Sequence, residues 1–185
     1  IGDDSAGRFT AHDLKTGEVA WQWTEDNPGY ATPFLAMIES TPQFITLTQS
    51  KVAGIFAMTG KTFWEIPFVS EWKENIRSVV VMVVLFVFGG FGRGVTAVRI
   101  KKEDDGWQAN QIWHNKENTI YMSSPVAADG YIYGFSNKMR GQFFCLDANT
   151  GKSLWESPGR QGQNASLHLG GGRIWALTTE GELIV

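Results

Sequence analysis

The sequence predicts an all-β chain, built from four-stranded antiparallel blades of a β-propeller with about four repeats present. Three observations predict it. One phrase returns three times: "HDLKTGEVAWQW" from His12, "FAMTGKTFWEI" from Phe56 and "LDANTGKSLWES" from Leu146, each with Trp four residues after Thr-Gly. The Trp residues keep a period. Trp21, Trp64, Trp113 and Trp155 stand 43, 49 and 42 residues apart, and a period of 20–50 residues marks a repeat architecture. The composition agrees: with 21 Gly, eight Trp and 13% aromatic residues, it favours many short strands joined by tight turns.

Each unit of about 44 residues then divides into four strands, the size and strand count of a propeller blade. The first strand lies in "YATPFLAM", "NIRSVVVM", "YMSSPVAADG" and "QNASLHLGGG". The second is "FITLT", "VLFVFGG", "YIYGFS" and "RIWALTT", and the third "GIFAM", "TAVRI", "QFFCLD" and "ELIV". The fourth carries the Trp. The predicted blades are 29–68, 75–115 and 120–157, with partial ones at 1–24 and 163–185, in a single propeller region over 1–185. In the 75–115 blade the polar run "KKEDDGWQA" replaces the Thr-Gly turn and accounts for the longer gap. The apolar run "VVVMVVLFVF", Val79–Phe88, has ten residues. A membrane-spanning helix needs about 20, so the run is read as buried strand and no transmembrane segment is expected.

The phrase has a mechanical reading. Asp13 and Asp147 stand three residues before Thr16 and Thr150, where a carboxylate accepts backbone N–H groups of a turn. Gly17, Gly60 and Gly151 supply the positive φ that a tight turn needs. Trp21, Trp64, Trp113 and Trp155 are expected to lie flat between neighbouring blades. The second phrase keeps Thr59 but has Phe56 in place of the Asp, so that turn is expected to lose one bond. All of these residues are read as structural.

Candidates for chemistry are few. A net charge of −3 with 19% charged residues offers no basic stripe for nucleic acid. The single cysteine, Cys145, sits in an apolar run and is expected in the core. His12, His114 and His168 lack ligand spacing. The acidic pairs Asp3-Asp4 and Asp104-Asp105 read as solvated loop, and "GGFGRG" from Gly89 as a tight loop between strands. No catalytic or metal-binding residue is assigned, and no basic-then-apolar leader opens the given chain.

These phrases resemble the tryptophan-docking repeat of quinoprotein-type β-propellers, Ala-x-Asp-x-x-Thr-Gly-Lys-x-x-Trp. Ala11, Asp13, Thr16, Gly17 and Trp21 match it, with Glu18 for Lys; Asp147, Thr150, Gly151, Lys152 and Trp155 match it, with Cys145 for Ala. Thr59, Gly60, Lys61 and Trp64 match its second half. The chain is most similar to the bacterial PQQ-like repeat proteins, as a fragment of a seven- or eight-bladed ring. That resemblance implies a non-catalytic binding or scaffold module, a protein partner or small ligand, a periplasmic or extracytoplasmic location, and no cofactor. A second branch implies a PQQ-dependent alcohol or sugar dehydrogenase holding the quinone with calcium. Many of its members carry a vicinal Cys-Cys pair, which one cysteine cannot supply.

Residues just before the innermost strand of a propeller blade face the central channel. The alignment places Thr32 (or Ala31), Arg77, Ser123 and Asn164 there as candidate rim-binding residues. Trp72 and Trp107 are candidates for interface anchors or for packing at blade edges.

Overall fold

The computed structural model describes residues 2–3, 6–70, 80–82, 85–120 and 122–185. The chain forms two compact units, Ile1–Ser78 with Ile100–Ala109, and Val79–Arg99 with Asn110–Val185.

In the first unit, β1 (Gly2–Asp3) pairs with β2 (Ala6–Gly7), and β3 (Phe9–His12) with β4 (Val19–Trp23). Then β5 (Phe34–Ile38), β6 (Thr41–Leu47), β7 (Lys51–Phe56) and β8 (Thr62–Pro67) form an antiparallel meander in chain order. Burial explains the order. In β5, Leu35 and Met37 are exposed while Ala36 and Ile38 are buried, the alternation of a strand with one wet face. The central strands β6 and β7 bury Ile45, Leu47, Val52, Ala53 and Ile55. The β5–β6 turn places Glu39 and Ser40 at φ 46° and 62°, the paired positive values of a two-residue hairpin turn. Trp23, Ala53 and Ile55 form a core with Phe9, Trp21 and Phe44 packed on it. The Phe9 ring meets Trp21 and Phe44 edge-on at 5.5 and 5.1 Å.

The second unit repeats the pattern. β9 (Val80–Met82), β10 (Leu85–Gly90), β11 (Gly94–Glu103) and β12 (Gly106–Asn115) form one four-stranded sheet, of which the stretch Ile100–Ala109 at the end of the long hairpin belongs to the first unit. β13 (Val126–Ala128), β14 (Tyr131–Ser136), β15 (Gln142–Asp147) and β16 (Ser153–Glu156) form another. β17 (Ala165–Gly170), β18 (Arg173–Thr178) and β19 (Leu183–Ile184) form a three-stranded one. The apolar run from Val79 supplies β9 and a fully buried β10. Asp129-Gly130 makes the β13–β14 turn, with φ 52° and 84°. One core joins Val87, Ala97, Trp113, Ile132, Phe144 and Leu146; a second joins Phe135, Ala165, Leu167 and Ala176. Among the described residues every strand pair is antiparallel and the sole helical element is a 3-10 turn, Lys138–Arg140. The chain is all-β, and its four-stranded antiparallel sheets are propeller blades.

The third repeat departs from its siblings. The segment that lacks Thr-Gly lengthens β11 and β12 to ten residues each. Trp107, at the far end of that hairpin, stacks on Phe63 with ring centroids 5.5 Å apart. Phe63 stacks in turn on Phe56. Trp72 and Arg77 lie outside the described residues.

Candidate functional site

The phrase turns are built by their own side chains. Asp147 Oδ1 accepts the N–H groups of Asn149 and Thr150 at 3.0 and 2.8 Å and the Thr150 hydroxyl at 2.8 Å. Asp13 Oδ1 accepts the N–H groups of Lys15 and Thr16, both at 2.9 Å. These bonds favour the ionised carboxylate. Those from Thr16 and Lys15 hold Asp13 below the usual carboxylate range, and those from Thr150 and Asn149 do so for Asp147. The Phe56 turn has no carboxylate; the Thr59 and Gly60 N–H groups donate to the Phe56 carbonyl at 3.3 and 2.9 Å, and Thr59 Oγ1 accepts the Lys61 N–H at 3.4 Å.

Each turn Gly then meets, or lacks, an indole. A Cβ on Gly60 would lie 2.6 Å from a ring carbon of Trp21, and one on Gly151 2.4 Å from Trp113. The indole N–H of Trp21 donates to the Ala57 carbonyl at 3.0 Å, and that of Trp113 to the Ala148 carbonyl at 2.8 Å. In both pairs the acceptor stands three residues before the Gly. Trp64 is held differently: its N–H donates to Gln43 Oε1 at 2.9 Å, and its ring covers Gly54. Gly54 pairs with Trp64 across the ladder, as Ala11 does with Trp21 and Cys145 with Trp155. That place is small because a directly opposite pair brings Cβ atoms within about 5 Å. Trp155 departs from the expected burial and is 49% exposed.

The rim candidates do not share one environment. Thr32 is exposed and flanked by Ala31 and Pro33, which line a 250 Å³ cavity with Arg8, Trp23, Asp26 and Thr48. Ser123 is 1% exposed, and its Oγ accepts the Ala165 N–H at 3.1 Å, tying the β13 approach to β17. Asn164 is partly buried, and its backbone is bonded to Thr179 on both sides. Ser123 therefore offers little to a ligand. Trp107 serves as packing within its unit.

Two features escaped sequence reasoning. Asp26 accepts from Thr48 Oγ1 at 2.5 Å and from the Ser50 hydroxyl and N–H at 2.7 and 2.9 Å. Burial raises its carboxyl, and these bonds with that of the Asn27 N–H outweigh burial and leave it lowered. The polar run "EDNPG" from Glu25 was the available signal. Asn115 is buried, donates to the Gly151 carbonyl at 2.8 Å and accepts from the Glu117 and Asn118 N–H groups, both at 2.9 Å. Its place two residues after Trp113 was the signal there.

Two further concavities lie in the second unit. A 260 Å³ hollow is lined by Arg93, His114 and Lys116. A larger apolar groove of 740 Å³ runs beside β18 and β19, lined in part by Tyr133, Phe143, Trp155, Ile174 and Ile184. A quinone–calcium pair needs a hard cage of carboxylate and amide oxygens. Among the described residues no three His, Cys, Asp or Glu side chains converge for a metal, and Cys145 has no second cysteine beside it. The described residues show no such cage.

Antiparallel sheets of this kind, in a repeat written around Thr-Gly and Trp, define a PQQ-like β-propeller repeat protein. The chain belongs to the family described as outer membrane protein assembly factor BamB, which matches residues 2–157. Among solved structures it is similar to BamB from Moraxella catarrhalis, with TM-score 0.63 and 15% identity, over 96% of this chain and 50% of that one. It is also similar to the computationally designed protein Ika4, with TM-score 0.66 and 13% identity, over 91% and 97% of the two chains. Quinohemoprotein alcohol dehydrogenase ADHIIG from Pseudomonas putida HK5 aligns at TM-score 0.56 and 21% identity, over 74% of this chain and 22% of that one. No curated protein matches. The chain spans half the length of the BamB structure. Among the described residues no helix is long and apolar enough to cross a membrane.

Proposed function

We propose that this chain is part of an extracytoplasmic, non-catalytic propeller scaffold of bacterial type, 1–185 forming one propeller region, that binds an extended segment of a partner protein. Membership of the BamB family supports the scaffold class. The observation that carries the binding mode is β5. It is an end strand of its sheet, and it exposes Phe34, Leu35 and Met37. An end strand offers backbone donors and acceptors to an added strand, and alternate apolar side chains give that strand a grip. Thr32, at the entry to β5, and Asn164, at the entry to β17, supply polar contacts at the rim.

Fluorescence titration of the full chain with a peptide from a barrel strand of an outer-membrane protein tests this. We expect saturable binding, lost on changing Leu35 and Met37 together to Asp. Binding of PQQ and calcium with dye-linked oxidation of an alcohol or sugar would overturn it in favour of the dehydrogenase reading.

A further inference from the structure

Two repeats carry the same ion pair. The residue after the phrase Trp is Glu65 in one and Glu156 in the other. Each meets a lysine at the junction of the second and third strands of its own sheet. Lys51 Nζ lies 2.7 Å from Glu65 Oε2, and Lys138 Nζ 2.8 Å from Glu156 Oε1. In the third repeat the residue after Trp113 is His114, and the turn between β10 and β11 carries Arg93. An imidazole thus stands where two siblings place a carboxylate.

The backbone fixes this arrangement. Gly92 and Gly94 flank Arg93 with φ 69° and 72°, values that suit glycine. A Cβ on Gly94 would lie 2.3 Å from the Asn115 carbonyl oxygen and 2.8 Å from His114 Nε2, so glycine lets the turn close on the end of β12. The Arg93 carbonyl can only accept, and His114 Nε2 donates to it at 2.9 Å. The hollow of 260 Å³ at this place is lined by Arg93, His114 and Lys116 with the two glycines, and these described residues include no carboxylate. Two permanent cations and an imidazole therefore share one small concavity, on a chain of net charge −3.

We infer that this hollow binds a phosphate group. One carboxylate balances one lysine in the sibling repeats, whereas an arginine and a lysine together suit a doubly charged anion. A phosphate monoester carries a charge of about −1.5 to −2 at neutral pH and three strong acceptor oxygens. The planar guanidinium fork matches its geometry, and the ammonium adds a point charge. A glutamate at position 114 would repel the anion; His114 does not. Free phosphate and a lipid headgroup ending in a phosphate monoester offer the same chemistry. The inference is independent of the partner binding proposed for β5.

Two arms test it on the full 185-residue chain. One is calorimetric titration with inorganic phosphate. The other is flotation with phosphatidylcholine vesicles, with and without phosphatidic acid. Saturable binding is expected in at least one arm. Binding of inorganic phosphate assigns the free anion as ligand, and binding of phosphatidic acid vesicles alone assigns the headgroup. Lys116→Gln should weaken binding about tenfold, the scale of one charge-assisted hydrogen bond. His114→Glu installs the carboxylate of the siblings and should abolish binding. Its circular dichroism should be unchanged, because two sibling repeats already fold with glutamate there. Lys102→Gln, an exposed cation outside the hollow, should bind as wild type does. If His114→Glu unfolds, the contrast between Lys116→Gln and Lys102→Gln decides alone. No binding in either arm overturns the inference. So does binding that survives His114→Glu, or that falls equally with Lys102→Gln and Lys116→Gln.

Discussion

At the scale of single residues, the phrase separates into parts with different energetics. Trp113 is buried, covers Gly151 and spends its N–H on the Ala148 carbonyl. Truncating a buried aromatic costs about 3–5 kcal/mol, so chemical denaturation of Trp113→Ala should read a loss of that size. The carboxylates act through charge. Asp13 and Asp147 titrate below the ordinary range in the folded chain. Their stabilisation is therefore full above the unfolded value of about 3.9 and disappears as pH falls through the lower folded value. Melting curves from neutral pH into strong acid should show wild type above Asp147→Ala at neutral pH, with the gap closing in acid. A gap independent of pH would mean that the carboxylate charge does not matter. These parts were open to sequence reasoning because their partners are two or three residues away. Asp26 was not, because it is held by Thr48 and Ser50, more than twenty residues on.

At the scale of elements, glycines divide into two kinds that look alike in sequence. Gly60 and Gly130 both have positive φ, 74° and 84°. A Cβ at Gly130 meets nothing, whereas at Gly60 it meets the Trp21 ring. Gly130→Ala should cost about 1–2 kcal/mol, the left-handed penalty. Gly60→Ala should add about 1–3 kcal/mol for overpacking. Equal costs in urea titration would show that the indole yields freely. The strands themselves were legible, because alternation and spacing are written locally, and the all-β blades follow from them. The β11–β12 hairpin was legible only as an insertion. Its ring stack, Trp107 on Phe63, joins residues far apart in the chain, and no local pattern announces such a pair. The burial of Ser123 was missed for the same reason: the alignment placed it at a rim, but its acceptor role toward Ala165 depends on the next repeat.

At the scale of the whole molecule, repeats contact chiefly their neighbours, and local opening is graded along such an array. Cys145 reports on it. The thiol is buried in the centre of its sheet, and burial first, then the nearby Asp147 charge, raises its pKa. It should resist a thiol reagent in native buffer and react at a rate that follows added denaturant. Fast labelling in native buffer would place this sheet among the open parts of the chain. Family and architecture were legible because the phrase recurs. The partner was not, since the residues that recur are those that hold the blades.

The long β11–β12 hairpin has a consequence for how the chain finds its fold. Repeats written alike invite mistaken pairing, in which a newly made blade docks on the wrong sibling. Here the junctions are not interchangeable. Trp21 and Trp113 need a turn glycine to settle on, and Trp64 is held by Gln43 and Gly54. The hairpin at the third repeat offers no such turn and brings Trp107 to Phe63. The irregular repeat thus carries a ring contact in place of the turn its siblings offer, and that difference marks it off from them.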